Sequence, residues 1–212
     1  EIIPFLPNVI LRTFQVTLAS IFLALVIGLI TGLGRISKIT IVNRIATIYV
    51  EVIRGIPLLV QLFYIYYALG RFFTVPRLSA AIIAMSVCYG AYMGEIFRAG
   101  IQSIPRGQME AALALGMSRR QALRLVILPQ TFRVILPPVG NEFIALLKDS
   151  SLVSILAVSD LLRRGREYAS VSFRYFETYT MVALCYLVLT LFFSKMVALM
   201  EEHLERRGGS NG

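Results

Sequence analysis

PRGQMEAALALGMSRRQALRLVILP, residues 105–129, is the one long polar interruption in a chain that is otherwise mostly apolar. Pro105 can open a helix, because the N–H it lacks is not needed in a first turn. The run 108–115 is rich in alanine and free of β-branched residues, which suits a helix. Gly116 can end that helix in the left-handed conformation. Ser118 and Gln121 have the spacing of a capping box, so a second short helix should begin there. Pro129 should close it, since a proline ring clashes with the preceding turn. The product is a helix, a tight turn and another helix, kept in water by Arg106, Arg119, Arg120 and Arg124.

Such a unit has two readings. Its arginines could enter a DNA groove, or it could be a loop that docks on another protein. The rest of the chain decides. Of its 212 residues 57% are hydrophobic and only 16% charged, with a mean hydropathy of +0.74. Soluble domains are about 45–50% apolar and about 25% charged, so this is a membrane protein. The net charge of +9 then reflects arginine and lysine in the loops between spans. A loop anchored at both ends by membrane helices could not follow a duplex groove, so nucleic acid is rejected as a partner.

A span needs about 20 mainly apolar residues. Five stretches qualify: about 13–33, 45–69, 78–97, 132–147 and 179–199. Gly28 and Gly32 in the first have the spacing that lets helices approach closely, or are incidental. Glu51 and Arg54 lie in the second, followed by Gly55 and Pro57. Glu95 and Arg98 end the third, at the same three-residue spacing, which puts each pair on one helical face. The fourth is short and should be broken by Pro137 and Pro138, with Asn141 and Glu142 near its middle. Between it and the fifth, an apolar piece and an arginine-rich piece (161–166) read as an interfacial or externally packed helical segment. The arginines there either face an external partner or are simply solvated. One transmembrane domain, 1–207, and a disordered tail, 208–212, follow. The distribution of Lys and Arg favours an outside N-terminus, a cytoplasmic C-terminus and a cytoplasmic 105–129 loop.

Cys88 and Cys185 sit in apolar runs and read as small buried hydrophobes. With a single histidine, His203, and no cysteine cluster, no zinc site can be built. The chain starts at Glu1 with neither a methionine nor a cleavable-signal pattern, as if the native N-terminus were missing.

Glu110-Ala111-Ala112, then Gly116, then Val126-x-Leu128-Pro129 resembles the EAA loop of ABC importer permeases, with valine where the family has isoleucine. Further stretches resemble the polar amino-acid uptake class. They are Glu51-x-x-Arg54-Gly55-x-Pro57-Leu58-Leu59-Val60-Gln61, Gly90-Ala91-Tyr92-x-x-Glu95-x-x-Arg98, Gly107-Gln108-x-Glu110-Ala111 and Asn141-Glu142 through Leu147-Lys148-Asp149-x-Ser151-Leu152. Ser150 stands where that class commonly has threonine. The likeness covers nearly the whole chain. It implies an all-α membrane protein: the transmembrane domain of a type I ABC importer, with five transmembrane helices and a cytoplasmic helix-turn-helix coupling loop.

The implied setting is the bacterial plasma (inner) membrane. The implied partners are a pair of ATPase subunits, a second permease subunit (identical or a close paralogue), an external substrate-binding protein, membrane lipid and an amino-acid substrate. No Gly-x-x-x-x-Gly-Lys-Ser/Thr occurs, so the chain lacks the loop that cradles nucleotide phosphates. It should bind no cofactor and hydrolyse no ATP; ATP and Mg belong on the partner ATPase. The coupling helix would use Glu110, Ala111, Ala112, Leu115, Gly116, Met117 and Ser118, its alanines leaving a thin surface for close packing.

Charged groups inside a membrane cost about 2.5–3.5 kcal/mol each even on lenient scales. Glu51, Arg54, Glu95 and Arg98 should therefore pair, either as a frame beneath an inner gate or only to hold helices together. Interrupted spans with freed backbone groups point to a transport site. That makes Asn141, Glu142, Gln61, Pro138 and Tyr89 candidate substrate contacts, with interhelical packing as the alternative. Glu142 suits an ammonium group and leans the choice toward polar or basic amino acids. Tyr64, Tyr66, Tyr67 and Tyr92 either join Tyr89 along the path or form interfacial belts. The competing function is a self-sufficient carrier driven by an ion gradient, with Glu51 or Glu142 as proton sites; it has no need of a docking loop.

Overall fold

The helix α4, Arg77–Gln102, is the one against which four of the other helices pack. The computed structural model describes residues 6–208 of the chain. Small residues on α4, among them Ala80, Ala81, Ala84 and Ala91, are wholly buried. They admit α1, Leu6–Arg35, to very close range. A Cβ on Gly28 would lie 2.3 Å from the Met93 Cβ, and one on Gly32 would lie 2.8 Å from the Phe97 Cβ. The Gly28/Gly32 spacing is therefore a packing face, because only hydrogen fits between the two backbones. Val16, Leu62, Met85, Met93, Leu146 and Val153 join this core.

The second apolar stretch is two helices, α2 (Thr40–Gly55) and α3 (Leu58–Phe72), bent by 110°. Pro57 explains the bend. A residue before proline is pushed toward extended backbone, and Ile56 has φ −109° and ψ 131°.

The 105–129 stretch forms α5 (Arg106–Ala114) and α6 (Arg119–Ala122). Gly116 is left-handed, at φ 85°. Its N–H bonds Leu113 O at 3.0 Å and that of Met117 bonds Ala112 O at 3.2 Å, the paired closure of a glycine-terminated helix. The Ser118–Gln121 capping box is present in both directions.

Pro129 does not close the second helix. A π-turn at Leu123–Ile127 shifts the pairing, with Leu128 N–H reaching Leu123 O, and Pro129 then sits in the first turn of α7, Leu128–Asp149. Nor do Pro137 and Pro138 break α7, which runs through both. Two prolines withhold two helix bonds, a loss that membrane helices tolerate where neighbours and local adjustments re-satisfy the backbone.

A 3-10 turn, Ser150–Leu156, leads to α8 (Leu161–Ser172), capped by Asp160, and then to α9 (Tyr175–Gly208). The expected disordered tail falls, beyond Gly208, outside the described residues. Among those described there is no strand. Four helical runs are long and apolar enough to cross a membrane, and a fifth if the bent pair counts as one.

Candidate functional site

Three elements meet around a cavity of about 520 Å³. The α2–α3 elbow contributes Arg54, Gly55, Ile56, Pro57 and Leu58. On α4 the lining residues are Cys88, Tyr89 and Tyr92; on α7 they are Glu142, Ala145 and Asp149. On α7 spacings of three, four and seven residues, and on α4 the three- and four-residue spacings from Tyr92 back to Tyr89 and Cys88, put these side chains toward the cavity. Tyr89 OH donates to Asp149 Oδ2 at 2.8 Å. The Arg54 guanidinium stands over the Tyr92 ring, 5.1 Å from its centre. The cavity thus offers two carboxylates, one guanidinium and aromatic walls, and α3 begins at its edge with unpaired N–H groups of a helix N-terminus. That set can hold an ammonium group and a carboxylate of one small molecule at the same time.

Of the predicted substrate contacts, Glu142 and Tyr89 line the cavity, while Asn141, Pro138 and Gln61 do not. Asn141 and Pro138 are exposed on the single chain. Gln61 is buried and its amide is engaged with backbone carbonyls of the elbow. Sequence reasoning missed Asp149 as a site residue, although it lies in the Leu147-Lys148-Asp149 stretch that carries the family likeness. Arg54, expected in a gate frame or a helix-holding pair, also lines the cavity.

The four intramembrane charges are divided. Glu95 is ion-paired to Arg98, its own neighbour one turn on, and to Arg35 at the end of α1. Asn43 Nδ2 donates to the Arg35 carbonyl, tying the start of α2 to the same corner. Arg54 makes no ion pair with this cluster. Glu51 is exposed and makes no ion pair among the described residues. Arg35 was legible only as a loop cation.

In the 105–129 loop Leu115 is the most projecting apolar group, 81% exposed. Glu110, Ala111, Gly116 and Ser118 are also exposed and Met117 partly so. Ala112 is buried, turned inward against the loop's own second half. Gln130 Nε2 donates to Gln108 Oε1 at 3.2 Å and ties α5 to α7. Among the described residues no group of three or more His, Cys, Asp and Glu side chains could hold a metal ion.

The chain is 41% identical over 198 residues to the probable amino-acid permease protein YxeN of Bacillus subtilis, covering 92% of this chain and 88% of that one. It is 38% identical over 206 residues to the glutamine transport system permease protein GlnP of Escherichia coli, covering 96% and 94%. A crystal structure of an amino acid ABC transporter with histidines superposes with a TM-score of 0.88 at 42% identity, over 94% of each chain. The model of the binding-protein-dependent transport system inner membrane component family matches residues 10–206, and the chain belongs to that family.

Proposed function

We propose that this chain is the permease subunit of an ATP-driven importer that moves polar or basic amino acids through the cavity between the elbow, α4 and α7. The observation that carries this is the presence of both charge signs around one cavity: Glu142 and Asp149 on α7 with Arg54 on the elbow. A zwitterion meets both needs, and the excess of carboxylate favours an added cation. The similar solved structure is an amino acid ABC transporter, which favours this reading over an ion-gradient carrier. As an inner membrane component of its family, the chain is a transport subunit and not an enzyme.

In this reading one of the two ATPase subunits, which hold ATP and Mg, docks on the end of α5 and the turn after it through Glu110, Ala111, Leu115, Gly116, Met117 and Ser118, and the other docks on the second permease subunit. The N-terminus lies outside and the C-terminus in the cytoplasm, with the bent pair as one of five spans. A second permease subunit completes the pathway, and an external binding protein delivers substrate. Alternating access follows when ATP-driven closure moves the loops and shifts the population from outward- to inward-open bundles. Glu95, Arg98 and Arg35 brace the α1–α4 corner during that movement.

The test is ATPase stimulation of the reconstituted complex across a panel of amino acids, with wild type and Glu142→Gln side by side. Loss of stimulation by cationic amino acids, with neutral ones retained, is expected. Unchanged stimulation by every amino acid would remove Glu142 from the site.

A further inference from the structure

We infer that Gln61 is a positioning residue for transport: its side-chain amide supplies the hydrogen bond that Pro57 cannot make, and thereby sets the wall of the cavity formed by the α2–α3 elbow. This rests on the reading of the cavity as the amino-acid site.

In an uninterrupted helix the Ile53 carbonyl would accept from the N–H four residues on. That residue is Pro57, which has none. The only backbone substitute is a long bond from Ile56 N–H at 3.4 Å. Gln61 stands one turn past Pro57, its own N–H on Pro57 O at 3.2 Å, and its side chain folds back across the break. Nε2 donates to Ile53 O and to Ile56 O, each at 2.8 Å. Both amide hydrogens are thus spent on the elbow.

The two bonded carbonyls bracket Arg54 and Gly55, which line the cavity. Ile53 and Leu58 anchor the two sides of the elbow on the core, but between them a Cβ built on Gly55 would meet nothing within 4 Å. The amide therefore helps to fix where the Arg54 guanidinium stands relative to Tyr92 and, across the cavity, to Glu142. Gln61 itself is 5% exposed and does not line the cavity, so it acts through the elbow and not by contact.

Its Oε1 is buried without a hydrogen-bond partner. Leaving such an acceptor unpaired is unfavourable, and a leucine would fill the space without that cost. A glutamine that carries this penalty in the core is placed there for its two donated bonds.

Equilibrium binding of radiolabelled L-arginine, L-glutamine and L-histidine to the purified permease–ATPase complex tests this. A Cys88→Ser/Cys185→Ser background carrying Arg54→Cys places the one thiol of this chain on the exposed elbow wall, within reach of a small water-soluble thiol reagent. Gln61→Leu is expected to assemble, to weaken amino-acid binding about tenfold through two lost bonds, and, in the thiol background, to change the rate of modification at position 54. Gln61→Asn, whose amide is too short to reach, should behave alike. Pro57→Ala added to Gln61→Leu restores a backbone donor but straightens the elbow, so it should recover thermal stability without recovering binding.

Wild-type binding in both single variants, or binding recovered by Pro57→Ala, would overturn the inference. Failure of both single variants to assemble would also overturn it, in favour of a purely structural role. Glu142→Gln separates the two readings. If it binds every probe like wild type, the cavity is not the amino-acid site, and the modification rate at position 54 alone then decides whether Gln61 shapes the elbow. If it weakens binding while Gln61→Leu does not, the site stands and the role of Gln61 falls.

Discussion

The hydroxyl of Tyr89 on α4 donates to the carboxylate of Asp149 at the last turn of α7, 2.8 Å away, and both side chains line the same cavity. The bond ties two helices together at the site. It also aims an acceptor, Asp149, whose remaining lone pairs are open to a ligand.

Tyr89→Phe removes that donor and keeps the ring. A hydrogen bond to a charged group is worth about 1.5–3 kcal/mol, so amino-acid binding should weaken by about tenfold or more while the complex still assembles. Equilibrium binding checks this; wild-type affinity for every amino acid tried would mean that the bond has no part in the site.

Gly28→Leu should prevent α1 from seating on α4. The first added carbon would already lie 2.3 Å from the Met93 Cβ, and backbone atoms of Gly94 stand close behind. Overpacking of this kind costs about 1–3 kcal/mol or more. The expected readout is loss of monodisperse complex in size-exclusion chromatography. Gly55→Ala, where a Cβ meets nothing within 4 Å, serves as the comparison and should elute normally.

Gly116→Ala places a side chain at φ 85°. The strain is about 1 kcal/mol and falls on the turn that presents Leu115. Amino-acid binding should persist, while ATPase stimulation by amino acid falls. Equal stimulation in variant and wild type would show that the turn geometry does not matter to coupling.

Asp160 supplies a pH dependence. Its carboxylate accepts N–H bonds from Leu162 and Arg163 at the start of α8, yet burial, the larger effect, pushes its pKa up to about 6. An acid raised above its unfolded value of about 3.9 stabilises the fold most when protonated. Its contribution therefore falls as pH rises from about 4 to about 6 and stays low above that. Asp160→Asn keeps a cap acceptor without the charge. Between pH 5 and 7.5 wild type should lose about 1 kcal/mol relative to the variant, read as a difference in melting temperature. Parallel melting curves across that range would contradict the assignment.

What the sequence determined alone is what near neighbours decide. Apolar length marked the spans, because hydrocarbon admits little else. The left-handed Gly116 and the Ser118–Gln121 box were legible because their partners lie within a few residues. Pro57 announced a break for the same reason. Pro129 and Pro137/Pro138 misled, since a π-turn and the membrane helix absorbed rings that would end a soluble helix. Tertiary structure decided which polar groups meet. Equal spacing made Glu51 and Glu95 look alike, yet only Glu95 faces Arg35 across the glycine-lined α1–α4 contact. Gln61 looked like a ligand contact and instead spans the elbow, while Asp149 joined the site from the far end of α7. Those outcomes depend on how each helix is rotated and bent against the others, and no local run of residues encodes that rotation.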